Sequence, residues 1–525
     1  MTAALWAFLP LIAVFIFFTG KQHLRLIPVK KSKPPLPPVI SVLPFLSQLF
    51  FRRFSLHEIE IILRRFHSLH GPILTLRLSP LTPPSIFISS SHLSHAALIH
   101  HADSFARRPP AVEPILFLTA GTHDISSSDY GPLWRFLRQN LSAETLHPSR
   151  LRSFARGRRW SVYLLLGDIR SHTGFQRAIL SILALMCFGE KLGNREISEI
   201  DSLQSFLLSL FTSFNVFAVL PAVTKLLFYK RWKRIVFARQ RQAEIFLPMI
   251  RARREKKQGT KDGDYDRCYV DSLIDLQLPV EGGRGLTDEE MVNLCHEFLS
   301  GAATTATALE WTMAEIVKQN GVQSKILAEI ESLIGIEEEE IVKEEDLERM
   351  PYLKGVVMES LRRHPPSHFV LPHSVTEEFE LNGYLIPNGA EVHFSVANVH
   401  WDRWNWEEPM EFRPERFLAG GEGEGVDLTG SRGIKMMPFG AGRRLCPGYK
   451  FAMLHLELLV ANLVREFEWK AEAGEEVDLS ENFEFTTVMK NPLRVHAVQR
   501  RKIQKKGTHH FCFQRGGKVH FCNLC

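Results

Sequence analysis

The sequence predicts a mostly helical fold with a small β part, preceded by one N-terminal transmembrane helix. Three observations carry that expectation. Most of 55–330 places apolar residues at helical spacing with only short interruptions. Within it, Thr287-Asp288-Glu289-Glu290 is a capping box, Thr at the N-cap and Glu at the third helical position. The apolar run behind it continues to Asn320-Gly321, a C-cap signal, which gives about 32 residues or ~48 Å of helix, enough to cross a whole domain. From 376 to 400 the pattern changes to short β-rich pieces broken by Asn-Gly and Pro-Asn-Gly turns.

The transmembrane expectation rests on residues 3–19, which carry no charge and are nearly all apolar. At 1.5 Å per residue, about 17–20 such residues span a bilayer core. Lys21, Arg25, Lys30, Lys31 and Lys33 follow, and no basic residue precedes, so the positive-inside rule leaves the rest of the chain in the cytoplasm. A cleaved signal peptide would want a charged start, which is missing. The prolines of Lys33–Pro38 favour an extended polyproline spacer. Four segments result: a signal anchor over 1–20, a basic and Pro-rich hinge over 21–38, a globular body over 39–498, and a basic His/Cys-containing tail over 499–525, expected to be disordered.

Charge excludes one function class. The formal net charge is +6, yet 499–525 hold seven Lys/Arg and 1–33 hold five, neither with an acid. Setting those twelve cations aside leaves 34–498 at −6, so the body offers no nucleic-acid surface. Seven unevenly spaced cysteines are not a secreted disulfide framework and suit a reducing, cytosol-facing location. Residues 255–285 are charged and aperiodic and read as a surface loop; the acidic run 337–348 reads as a solvated face; 402–434 read as ordered coil.

The segment Pro438–Gly448 carries the chemistry. Gly440 and Gly442 permit a tight turn and a close backbone approach to a flat cofactor. Cys446 precedes Pro447, a residue suited to the first helical position, and helical periodicity runs from about 448 to 466. A helix N-terminus and the nearby Arg444 both favour thiolate over thiol. Phe439 would shield the sulfur. A lone cysteine in such a turn would be read as structural. Here the pattern is complete (Phe439, Gly442, Arg444, Cys446, Gly448), and it resembles the haem-binding signature of the cytochrome P-450 family.

The resemblance covers essentially 34–498 and implies the cytochrome P-450 fold, heme b (iron protoporphyrin IX) and Cys446 as the iron ligand. A thiolate at that position donates electron density that promotes O–O cleavage. Glu359-Ser360-Leu361-Arg362 is similar to the family's E-x-x-R and Pro414-Glu415-Arg416-Phe417 to its P-E-R-F, which together imply a buried triad of Glu359, Arg362 and Arg416. Trp134 and Arg138 match the family's W-x-x-x-R, and His373 stands at its basic position; the resemblance assigns all three to haem propionates. Leu361–Pro366 looks like the plant A-type enzymes, and Cys295–Trp311 and Lys490–Val495 resemble plant family 89.

Three departures stand out. In the long helix the family's acid–Thr pair is replaced: Ser300-Gly301-Ala302-Ala303-Thr304-Thr305 has Ala303 at the acid's position, and the segment is one residue shorter than in family-89 relatives. Gly301 would leave room for O2, and Thr304, with Thr305 beside it, would organise water for proton delivery. Without the acid, poorer coupling of electrons to product is expected. The alternative is that Thr304 only bonds to its own helix backbone. Leu36 stands where the hinge usually has Gly. In the tail, His509, His510, Cys512, His520, Cys522 and Cys525 match no standard zinc spacing.

Phe117, Phe206, Phe211, Phe214, Phe217, Phe369, Val370 and Val488 fall in the family's substrate-lining regions and imply a small hydrophobic substrate, though abundant Phe also serves core packing. The reading is a monooxygenase at the endoplasmic reticulum membrane, single-pass, taking NADPH electrons through the flavins of a separate NADPH-cytochrome P-450 reductase docked near Lys435, Arg443 and Lys450. No nucleotide-binding segment occurs in the chain itself. Two other readings stay open: a reductase-independent isomerase or dehydratase acting on hydroperoxides, and a non-catalytic haem-binding remnant. A haem-free lipid binder would make five motifs coincidence.

Overall fold

The computed structural model describes residues 34–40, 56–77, 83–170, 175–211, 214–217, 220–259, 267–334, 341–472, 474–500 and 508–512. The expected membrane helix and its basic flank lie outside the described residues, as do 513–525 with His520, Cys522 and Cys525. Among the described residues no helix is long and apolar enough to cross a membrane. The chain divides into two compact units, residues 1–109 with 371–395, and 110–370 with 396–525.

The smaller unit is built on a five-stranded sheet in the order Val39–Ile40, Ile73–Leu76, Ser85–Ile88, Glu391–Phe394, His373–Ser374. Ile73–Leu76 is buried at every position, so it reads as a continuous apolar run and shows no alternation. The Pro-rich segment does not stand free as a spacer. The carbonyls of Pro37 and Pro38 accept from the Thr75 hydroxyl and amide, and Pro35 accepts from the Leu385 amide. Prolines lack an amide to offer but keep a carbonyl, which suits them to this edge. The expected Asn-Gly turn is present: Asn382 and Gly383 have φ of 53° and 77° between strands Phe379–Leu381 and Tyr384–Ile386, the mirror-image turn that matches strand twist.

The larger unit is helical around the long helix Asp288–Lys318, which packs on Gln176–Phe188, Tyr229–Gly259, Pro351–Arg363 and Tyr449–Glu466. Its capping box forms as expected: Thr287 Oγ1 accepts from the Glu290 amide and the Glu290 carboxylate accepts from the Thr287 amide. Its end differs from the expectation. Gln319 breaks the helix at φ −120° and ψ 84°, and Asn320-Gly321 open the next helix, Asn320–Ile334, instead of closing this one. Gln176–Phe188 is buried on nearly every side and stops at Gly189, left-handed at φ 73°. Tyr229–Gly259 contains Pro248 in its interior.

Two stretches read as surface are partly core. Within 255–285, Tyr269–Asp275 is a buried helix, because Asp271 receives a bidentate pair from Arg253 (2.9 and 2.6 Å) at sites almost closed to solvent. In the acidic run, Glu344 accepts from Nε and Nη2 of the fully buried Arg158, both at 2.7 Å. Arg494–Gln499 pairs with Phe467–Ala471, and the backbone of the tail segment Thr508–Cys512 adds a third antiparallel strand along it. The Arg500 guanidinium donates to the Val464 and Phe467 carbonyls, so the body reaches at least to 500.

Candidate active site

The loop before Tyr449–Glu466 holds its cysteine by backbone geometry. Gly440 and Gly442 sit at φ 72° and 70°, where a side chain would be strained. The turn they make lets the Cys446 amide donate to the Phe439 carbonyl at 2.9 Å. Gly448 caps the following helix, so Pro447 is not the first helical residue and Cys446 lies just before the cap. A Cβ on Gly448 would come 3.9 Å from the Cys446 sulfur, an ordinary contact distance, so residue 448 borders the sulfur directly. Burial pushes the Cys446 thiol up from its ordinary range; the Gly448 amide and the Arg138 charge pull it back down. Arg138, remote in sequence, is therefore a cation that acts on the sulfur.

Arg138 and Trp134 both project from the helix Pro132–Glu144, four residues and one turn apart. Arg138 donates to the Leu445 carbonyl at 2.6 Å, beside the cysteine. The Trp134 indole N–H donates to the Ile125 carbonyl at 3.0 Å, and the Arg444 guanidinium lies 4.6 Å over its ring. Arg444 itself donates to the carbonyls of Ile125 and Ser128. Burial lowers Arg444 to about 10. Trp134, Arg138, Arg444 and Cys446 are therefore brought together. His373 belongs to the smaller unit, where its Nδ1 donates to the Phe105 carbonyl at 2.6 Å.

The triad assembles on the helix Pro351–Arg363. Arg362 grips Glu359 with two hydrogen bonds, 2.6 and 2.8 Å, and Arg416 reaches the same carboxylate at 3.2 Å. The Arg413 amide is a further donor to it at 2.8 Å. All three side chains are buried, so the charges need this many partners. Gly355 makes the approach possible: a Cβ there would meet the Pro414 carbonyl at 2.8 Å. His400 joins this cluster to the cysteine loop. Its Nδ1 donates to the Arg362 carbonyl and its Nε2 accepts from the Met437 amide. Burial lowers His400 to about 3, so it is neutral.

On the long helix, Ser300–Thr305 is regular α-helix. The hydroxyls of Thr304 and Thr305 both donate to the Gly301 carbonyl at 3.0 Å. Gly301 is exposed and its missing side chain would touch nothing within 4 Å. Of the substrate-region residues, Phe214 and Phe217 are buried, and Phe117 and Phe217 both pack their rings on Trp232. Phe206 packs on Phe237, and the Phe211 side chain lies outside the described residues.

Sequence reasoning missed an acid pair beside this helix. Glu297 accepts from the amides of Ile125 and Ser126 at 3.0 and 2.7 Å and from the Ser126 hydroxyl. Asp124, buried, accepts from the Ser127 hydroxyl and from the amides of Ser127 and Ser128. Burial, with the Asp124 charge second, pushes Glu297 up to about 7. No local motif announces partners 173 positions apart.

A half-buried cysteine in a glycine-turned loop, the Arg138 guanidinium on the adjoining carbonyl, and a glycine gap on a long helix are the arrangement expected of a haem-thiolate protein. The comparisons agree: the family model for Cytochrome P450 matches residues 34–497, and the chain belongs to that family. It is 43% identical over 491 residues to Cytochrome P450 89A9 of Arabidopsis thaliana, covering 89% of this chain and 94% of that one. Indolin-2-one monooxygenase of Zea mays is 30% identical, with 88% of each chain covered. A zebra fish cytochrome P450 solved with progesterone shares the fold at a TM-score of 0.69 and 22% identity, covering 84% of this chain and 99% of that one. The chain is a cytochrome P450 monooxygenase of the plant A-type that resembles family 89, and its cofactor is haem.

Proposed function

We propose that this enzyme inserts one atom of O2 into a small hydrophobic molecule, with electrons from NADPH delivered by a separate flavoprotein reductase. The balance is that of a monooxygenase: one oxygen enters a substrate C–H bond, and the other leaves as water with two protons and the two electrons of NADPH. Bound haem would supply the O–O cleavage chemistry, with Cys446 as its ligand. The chain's own residues do the rest. The Phe439 carbonyl and the Gly448 cap fix where the sulfur stands. Arg138 and Arg444 supply positive charge on the same side. Thr304, anchored through its proton to the Gly301 carbonyl, keeps oxygen lone pairs free to accept a hydrogen bond from water. The single observation that carries the proposal is the Cys446 loop, closed on the Phe439 carbonyl and followed by the Gly448 cap.

The proposed location is the endoplasmic reticulum membrane, single-pass, with the body in the cytoplasm. Besides the apolar 3–19, the short helix Pro221–Leu227 supports it. Leu226 there is 79% exposed and Leu220, Val223 and Leu227 are also exposed, with Lys230 and Lys233 exposed just after them. Apolar residues rimmed by lysine suit an anionic lipid interface.

The test is the carbon monoxide difference spectrum of the reduced, membrane-expressed protein beside Cys446→Ser. A strongly red-shifted Soret band, lost in the variant, is expected; its absence from the wild type sinks the proposal. Turnover of an organic hydroperoxide without NADPH or reductase, in place of NADPH-dependent oxidation, would favour the isomerase reading.

A further inference from the structure

Ala303 leaves the long helix without a carboxyl next to Thr304, and the nearest acid on the same face is Glu297. Residues 297, 301 and 304 are spaced i, i+4, i+7 and so line one stripe of the helix. The middle member is Gly301, whose absent side chain leaves open space between the other two. Thr304 is tied to the middle member directly, its hydroxyl donating to the Gly301 carbonyl at 3.0 Å. At the other end, the exposed Ser126 hydroxyl donates to the Glu297 carboxyl.

We propose that Glu297 is the proton-supplying group of this enzyme. It would take protons from solvent through the Ser126 hydroxyl and pass them by water along the Gly301 gap to Thr304, in place of the acid missing at 303. The inference rests on the monooxygenase reading, which sets the demand for two protons per O2 cleaved. Glu297 acts through water and Thr304, so its role is one of positioning and supply.

The electrostatics suit the task. A proton donor works best with a pKa near the operating pH. Burial and the Asp124 charge hold Glu297 at about 7. Asp124 is itself raised by burial, while donors from Ser127, Ser128 and Asn293 act to lower it. Arg138 from the Pro132–Glu144 helix and Tyr269 from the Tyr269–Asp275 helix also face Glu297, and Arg444 faces Asp124. Burial lowers Arg138, which feels the Cys446 and Glu297 charges together. A purely architectural carboxylate, bonded to two backbone amides, would be expected to stay ionised well below pH 7.

The experiment uses the full-length holoenzyme with purified reductase, NADPH and O2, and reads NADPH oxidation per haem from pH 6 to 8.5 in H2O and D2O. Wild type should lose rate through an inflection near pH 7 as the acid deprotonates. Glu297→Gln should run at least threefold slower below pH 7, lose the inflection and show a larger solvent isotope effect. Adding Ala303→Asp to Glu297→Gln should restore at least half of the lost rate. An infrared carboxyl band that titrates near pH 7 in wild type should be absent from Glu297→Gln. An unchanged rate and pH profile in Glu297→Gln overturns the proposal. So does a slower variant that Ala303→Asp does not restore, because Glu297 then only holds residues 125–126. Should Glu297→Gln fail to give the red-shifted carbon monoxide band, Ser126→Ala decides. It keeps both amide bonds and should raise the isotope effect; no change overturns the relay. Absence of that band from the wild type defeats the monooxygenase reading instead.

Discussion

The helix that carries Glu359 and the helix that carries Thr304 handle polar groups in opposite ways. Around Glu359 every buried charge is bonded several times over: Arg362 alone contacts the Glu359 carboxylate and the carbonyls of His400, Pro409 and Glu411. Around Thr304, among the described residues, the Thr304 and Thr305 hydroxyls bond to a carbonyl of their own helix, and the preceding positions are alanine and glycine. The first region is bound by the cost of stranding a charge, so its residue types are dictated. The second is bound by the need for space and water, which several sequences satisfy. A substitution such as Ala303 can therefore stand in the second region, whereas its equivalent in the first would unfold the site.

The contrast breaks most visibly at Glu359. Glu359→Gln leaves Arg362 and Arg416 facing a neutral group, and is expected to cost about 3–5 kcal/mol. That is a large share of the ~5–15 kcal/mol that holds a typical domain together. Thermal midpoint and haem-loaded yield read it; a midpoint within a degree or two of wild type would show that the backbone carbonyls alone suffice.

Acid should attack next, at two buried histidines, one in this region and one beside Arg158. Burial lowers both His400 and His455 to about 3, with Arg158 adding to the effect at His455. Unfolded histidine titrates near 6.5, so below that pH the unfolded chain binds protons that the folded one refuses. Stability is complete above about pH 6.5 and falls toward pH 3, by roughly 1.4 kcal/mol per pH unit for each fully titrating histidine. Denaturant midpoints between pH 7 and 5 should show the slope, and His455→Met should remove one proton's share of it. An identical slope in the variant would place the sensitivity elsewhere.

In the looser region the effects are smaller and fall on chemistry. Thr304→Ala should leave the thermal midpoint nearly unchanged and raise the share of O2 released as H2O2 severalfold, on the order of 1 kcal/mol of barrier. Unchanged H2O2 release would reduce Thr304 to a helix-bonded hydroxyl. The mildest change sits where the two regions meet. The hydroxyls of Thr312, on the long helix, and Ser360, beside Glu359, lie 2.8 Å apart and are buried. Thr312→Val should cost about 1 kcal/mol with H2O2 release unaltered, which separates stability from turnover across one hydrogen bond.

Much of the first region was legible because its parts carry local marks. The E-x-x-R pair, the P-E-R-F run and the Cys446 loop each lie within eleven residues, and the capping box at Thr287 within four. What escaped depends on partners remote in sequence. Arg158 and Glu344 are 186 positions apart, and Asp124 and Glu297 meet only through the fold. Tyr269–Asp275 was misread as surface because its charges, seen alone, look solvated; the arginine that neutralises Asp271 comes from the preceding helix. Pro447 misplaced the cysteine by a helical turn's start, since a proline signals the first turn while the cap itself is set by Gly448.

The proline within Tyr229–Gly259 has a mechanical meaning. At 1.5 Å per residue this helix is a strut of about 46 Å, and Pro248 deprives the Glu244 carbonyl of its intrahelical partner, giving the strut one compliant joint. On the far side of the joint, Arg253 is riveted to Asp271; on the near side, the strut begins next to the exposed leucines of Pro221–Leu227. Ile235, Ala238, Ile245 and Phe246 before the proline and Ile250 after it are all buried, so the strut is seated on both sides of Pro248 and carries its apolar end on a packed base.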